Sequence, residues 1–244
     1  MRIAPLSVLA ACCLATAACT AHAEDAKTPS SEGSGETRQV EDFHGVSVGH
    51  GLHAQVKVGP KSARLEGPAD SISRIKLVVE EGILTTRVDR KGSWWGNGLN
   101  GKVRLIVSSP RIDHVESSGG SHVEAEASAS EEFEAEASGG AELTVRGVDA
   151  KQVEAEASGG AQLTLVGRAE RVDAEVSGGS QLHARQLQGV KELSVEASGG
   201  ATVEADAPGT VSGDASGGSV ISLSARPKNS KVDVSGGSRV DYSN

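Results

Sequence analysis

Two places before each of seven Ser-Gly-Gly triplets stands an acid: Glu116, Glu136, Glu156, Glu175, Glu196, Asp214 and Asp233. If the triplets align in space, these carboxylates form a column with neighbours about one strand spacing apart, roughly 4.7–4.9 Å, and like charges placed directly opposite repel. Ca²⁺ takes several oxygen ligands and bridges such groups. The competing reading is an outward face screened by water and salt. Glu is flexible and no Asp-rich loop preorganises a cage, so the solvated face is preferred. The expectation is no cofactor, with Ca²⁺ on the acidic column as the lesser alternative.

Other residue types invite chemistry and are weaker. The triplet serines suggest nucleophiles, but seven equivalent serines have no single His-Asp partner set, and catalysis needs one positioned constellation. Carboxylates are so abundant that a glycosidase-like pair is uninformative without a cleft. His50-Gly51-Leu52-His53 lacks a third metal ligand and reads as turn and surface histidines. Trp94 and Trp95 lie in the Gly-rich run Gly92-Ser93-Trp94-Trp95-Gly96-Asn97-Gly98, in a chain with only five aromatics. Exposed, two indoles stack on a sugar or anchor a partner; folded back, they cover the open end of a repeat stack, which is the favoured placement.

The elements that must position these groups follow from a repeat. The serines of Ser-Gly-Gly fall at 118, 138, 158, 177, 198, 216 and 235, at intervals of 18 to 21 residues. Apolar and polar residues alternate on both sides of each triplet, the period of a half-buried strand. Each unit is therefore strand, tight corner, strand, with glycines permitting positive φ at the corner. Five places after each serine come Val123, Leu143, Leu163, Leu182, Val203, Ile221 and Val240, an aliphatic ladder; one place before come Ser117, Ala137, Ala157, Val176, Ala197, Ala215 and Val234, a small-residue inner face. This predicts an all-β fold, a parallel β-helix or β-solenoid of about seven coils over residues 113–244. The two-residue period excludes an α-solenoid, and the ligand Asp of the calcium-binding nonapeptide repeat is missing.

Upstream, residues 41–112 form a β-rich region of short runs: Val46 to Val48, Leu52 to Val58, Ala63 to Glu66, Ile75 to Glu80, Ile83 to Asp89 and Val103 to Ser108. Glu81-Gly82 reads as a hairpin turn and Pro68 to Arg74 as one helical turn. Residues 24–40 are polar and form a flexible leader. Residues 1–23 read as a signal peptide, with Met1-Arg2 ahead of an apolar run and Ala21-His22-Ala23 at the cleavage site. The alternative is a lipoprotein anchored through Cys19, the one route by which this chain would associate with a membrane. All three cysteines precede residue 24, so cleavage after Ala23 leaves no thiol chemistry. Residues 113–244 carry 22 acids and 10 bases, which repel phosphate backbones and exclude nucleic acid as a partner.

A cleaved leader, Phe43-His44-Gly45-Val46 with Val56-Lys57-Val58, then Gly82-Ile83-Leu84, Val103-Arg104-Leu105-Ile106-Val107 and Pro110-Arg111-Ile112, followed by Ser-Gly-Gly coils, together resemble the putative auto-transporter adhesin head GIN domain family. The resemblance spans roughly residues 41–226. It implies a β-helical domain at the cell surface or in the periplasm, without established catalytic residues. The reading is a non-enzymatic exported structural or binding protein with a surface or envelope partner, a glycan among the candidates. The alternative is a carbohydrate-binding or carbohydrate-active β-helix with Trp94 and Trp95 beside acids on a groove.

Overall fold

The computed structural model describes residues 35–89, 103–206 and 209–243; Trp94, Trp95, the signal segment and residues 24–34 of the expected leader fall outside them, whereas the end of that leader lies inside and forms a strand, Gly35–Thr37, instead of flexible chain. Residues Gly33–Asn244 make one compact unit. The first strands are β1 (Gly35–Thr37), β2 (Gly45–Val48), β3 (His53–Val58) and β4 (Ser62–Glu66). A single helical turn, α1 (Ala69–Ile72), leads to β5 (Ile75–Glu80), β6 (Ile83–Val88) and β7 (Arg104–Ser109). The repeats supply β8 (His114–Ser117), β9 (His122–Glu126), β10 (Ser130–Ala137), β11 (Glu142–Ala157), β12 (Gln162–Val176) and β13 (Gln181–Gln188). The last are β14 (Glu192–Ala197), β15 (Thr202–Ala205), β16 (Thr210–Ala215), β17 (Val220–Leu223), β18 (Asn229–Val234) and β19 (Arg239–Tyr242).

From β8 onward every pairing is parallel and joins a strand to its counterpart one repeat later, for example Ala137 with Ala157 and Leu143 with Leu163. The fold is a β-solenoid preceded by a β-rich N-terminal region. Seven corners bound about six turns. Inward residues run Leu143, Val145, Val148, Ala150, Val153, Ala155 and Ala157, so the two-residue alternation skips twice per turn. The first skip passes through Gly147, which holds φ at 72°.

The corner is built by backbone. The N–H of the fourth residue donates to the serine carbonyl, as from Ser121 to Ser118 at 3.2 Å and Ala141 to Ser138 at 3.3 Å. The first glycine is at positive φ in all seven corners, whereas the second is so only at Gly120, Gly200, Gly218 and Gly237. First glycines also stack on one another, and an added Cβ would come within 2.7–3.3 Å of the previous corner's backbone from Gly139 onward. Most second glycines face open space. The two positions therefore differ in what they require, a distinction that the repeated Gly-Gly hides.

The solenoid begins before its first Ser-Gly-Gly. β2 and β3 pair in parallel with β8 and β9, which sets Gly49-His50-Gly51 beside Ser118-Gly119-Gly120 as an eighth corner. His50 adopts φ 66° there, the left-handed region a Cβ resists. β6 and β7 pair in parallel with the other edges of β2 and β3. They are the turn at the end of the stack, although later in sequence.

That end is closed by chain reversal. β5 runs antiparallel to β6, β4 to β7, and β1 to β4. Glu81-Gly82 makes the β5–β6 hairpin with φ of 53° and 80°, both positive as a type I′ turn requires. Leu65, Ile72 and Ile75 are buried at this end and join the same continuous core as the repeats. At the other end Val234 is 47% exposed, and Arg226 lies over the Tyr242 ring at 5.2 Å.

Candidate functional site: an acidic face

The side of each turn that precedes the corner carries the acids. Strand alternation turns residues one place before the serine inward and those two and four places before it outward. Val115, Ala135, Ala155 and Ala174 are buried between them. The parallel register then aligns Glu116 with Glu136, Glu136 with Glu156, Glu156 with Glu175, Glu175 with Glu196, Glu196 with Asp214, and Asp214 with Asp233. All seven sequence-read acids therefore share one unbroken column. Ser47 of β2 extends it, and its hydroxyl donates to Glu116 Oε2 at 2.6 Å.

A second column lies beside the first, four places before each serine: His114, Glu134, Glu154 and Asp173, then Ser194, Ser212 and Lys231. The sequence contains this column in the same alignment that shows the first. Its mixed residue types conceal it. At three successive levels, Glu134 with Glu136, Glu154 with Glu156 and Asp173 with Glu175, the two columns place acids side by side, and negative charge is densest there.

The crowding is visible in the carboxyl groups. Glu136 is pushed up to about 7, chiefly by burial, then by a hydrogen bond shared with Glu134 and the charges of Glu116 and Glu134, while His114 pulls it down. Glu154 is also raised, first by burial and then by the charges of Glu134 and Glu156. His114 Nδ1 lies 2.7 Å from Glu134 Oε2, with the His114 side chain only 12% exposed. One ligand atom each from His114, Glu134 and Glu136 lie within 4.8 Å of one another, the one such group of three among the described residues.

Another side handles its charges differently. Glu131, Lys151, Glu170 and Lys191 alternate in sign from turn to turn, with Lys151 Nζ 2.7 Å from Glu131 and Lys191 Nζ 2.9 Å from Glu170. Arg171 pairs with Glu192 at 2.8 Å in the adjacent position. This ladder is self-neutralising and is a sufficient account of those residues. Among the described residues no Lys or Arg pairs with a carboxylate of the two acidic columns, where His114 meets Glu134 across neighbouring turns.

The remaining candidates separate. His50 occupies the first corner, while His53 lies on β3 with its ring 5.6 Å from that of His122. His122 Nδ1 in turn meets Glu142 Oε2 at 3.0 Å. The triplet serines fix the corner through their main chain: Ser138 N–H donates to Ser117 O, Ser158 to Ala137 and Ser198 to Val176, each at 2.9 Å. His44 Nδ1 lies 2.6 Å from Asp113 Oδ1, while Arg111 pairs with the other carboxylate oxygen, Oδ2. Among the described residues, no helix is long and apolar enough to cross a membrane.

The family described as "Putative auto-transporter adhesin, head GIN domain" matches residues 42–227. Solved structures that share the fold include the following three. A putative adhesin from Bacteroides fragilis has a TM-score of 0.78 at 16% identity, covering 88% of this chain and 98% of that one. A putative lipid binding protein from Parabacteroides distasonis has a TM-score of 0.65 at 12% identity, and a putative adhesin from Parabacteroides merdae 0.63 at 14%, each covering 88% of this chain and 98% of its own. A search among curated proteins gives no match.

Proposed function

The chain belongs to the head GIN domain family of putative auto-transporter adhesins, and from that premise we propose that it is an exported, non-enzymatic binding protein that meets a surface or envelope partner through its acidic face. The observation that carries this reading is the register itself. Seven carboxylates repeat at strand spacing along one side, with a second acidic column beside part of it. Such an array fits an extended partner bearing spaced cations or hydroxyl donors better than a small substrate, which needs a concave pocket with a few convergent groups. The small-residue core and glycine corners serve the array by keeping the strands in register.

Beads coated with the purified protein and applied to glycan arrays and envelope fragments test the reading, at low and high salt. Saturable retention that weakens with salt and with the triple change Glu156→Gln, Glu175→Gln and Glu196→Gln is the expected result. Retention no greater than that of beads carrying an unrelated protein of equal charge overturns it. These substitutions avoid His114, Glu134 and Glu136, so this test is independent of the metal site considered next.

A further inference from the structure

We propose that His114, Glu134 and Glu136 form a binding site for one divalent metal ion of the zinc class, near the start of the acidic face. The three residues come from β8 and the following turn, where the register sets His114 beside Glu134 and Glu116 beside Glu136. One donor atom from each already lies within a 4.8 Å group. Zn²⁺ binds nitrogen and carboxylate oxygen at about 2.0–2.2 Å in tetrahedral geometry, so modest side-chain rotation brings all three onto one ion.

The donor set points to a metal of borderline softness. A neutral imidazole nitrogen with two carboxylates suits Zn²⁺, whereas Ca²⁺ takes six to eight oxygens. The charges also fit, since two carboxylates balance one divalent cation. No Lys or Arg among the described residues forms an ion pair with Glu134 or Glu136; Glu134 meets His114 and shares a hydrogen bond with Glu136, so its partners are the other two members of the group.

The site is distinguished from its surroundings by histidine and by rigidity. His122 pairs with Glu142 and His183 with Glu204 across adjacent turns in the same way, yet neither pair gathers a third donor among the described residues. The His114 imidazole is mostly buried while the Glu134 side chain is 41% exposed, so the nitrogen is held and the carboxylate moves to meet the ion. Behind Glu136, Glu116 is tethered by the Ser47 hydroxyl at 2.6 Å. Three protein donors leave a fourth position on the solvent side for water or for an oxygen of a partner.

The test is calorimetric titration of chelator-treated protein with Zn²⁺, accompanied by Co²⁺ absorption spectroscopy and a thermal melt of every variant. One equivalent of Zn²⁺ is expected to bind and to raise the melting temperature, with Co²⁺ giving a visible spectrum of nitrogen and oxygen ligation. His114→Gln and Glu136→Gln should each weaken binding by at least about tenfold. Glu134→Gln, at an exposed position, provides the same test if His114→Gln fails to fold. Glu196→Gln, in the same acidic column but three turns on, should leave the affinity unchanged. Absence of saturable Zn²⁺ heat overturns the proposal. So does equal affinity in His114→Gln and Glu134→Gln, or Ca²⁺ binding as tightly as Zn²⁺ without regard to His114, because either would mean diffuse attraction to carboxylates.

Discussion

The amide nitrogen of Gly139 stands 3.1 Å from the point where a β-carbon on Gly159 would lie, and Gly159 itself holds φ at 76°. Sterics and dihedral therefore act together at this first glycine of the corner. Gly160 has open space and no positive φ.

Replacing Gly159 with Val should lower stability by about 2 kcal/mol or more, since a left-handed residue with a Cβ costs about 1–2 kcal/mol before the contact with Gly139 is counted. Gly160→Ala should be within about 0.5 kcal/mol of the parent. Chemical denaturation of the two variants checks the pair. Equal losses would count against the stacked-corner account.

The two-residue hairpin turn offers a change in the other direction. Glu81 occupies a positive φ of 53° ahead of Gly82 at 80°, and Asn-Gly suits this turn better than Glu-Gly. Glu81→Asn is expected to raise stability by roughly 0.5 kcal/mol. Gly82→Ala should do the opposite, because its Cβ would meet the His44 ring at 2.6 Å. Thermal melts of the two variants should move apart.

Core substitutions should depend on the turn they occupy. Phe133 and Leu163 are fully buried, so truncation to Ala should cost about 3–5 and 2–5 kcal/mol respectively. Val240 belongs to the same aliphatic ladder but is only partly buried on the last turn, and Val240→Ala should cost below about 1 kcal/mol. Denaturant midpoints in the three variants test this gradient.

Acid should stabilise the metal-free protein over a defined range. The Glu136 carboxyl is raised from 4.5 to about 7, so the folded state holds its proton where the unfolded state has released it. The contribution of this group is then fully present below pH about 4.5 and is lost as pH rises through about 7. With allowance for solvent screening the effect is on the order of 1 kcal/mol, or about 2–4 °C in melting temperature. Melts in chelator between these limits should show the decline, and Glu136→Gln should flatten it.

Much of this structure is legible in the residues. The strand runs ending at Glu66 and Glu80 and the Glu81-Gly82 turn coincide with β4, β5 and the β5–β6 hairpin, because alternation and turn chemistry are local. The acidic column is likewise read from one repeated spacing. The eighth corner is hidden because His50 stands where later corners have Gly. The placing of β6 and β7 outside β2 and β3 is set by pairing between residues far apart in sequence, which no local pattern reports. His114 escapes notice for a different reason: it stands four places before its serine, as Glu134 does, but the mixed residue types at that position mask the column.

The position of β2 and β3 between β6–β7 and β8–β9 has a consequence for the order of assembly. A chain emerging N-terminus first cannot lay down its turns in spatial sequence, because residues 45–58 gain partners on both edges only after residues through Glu126 have been made. The closed end is thus a knot of distant pairings that forms slowly, as high contact order demands. Each later turn needs only the turn before it. The protein starts with its hardest step, and from β10 onward it grows like a thread wound on a finished spool.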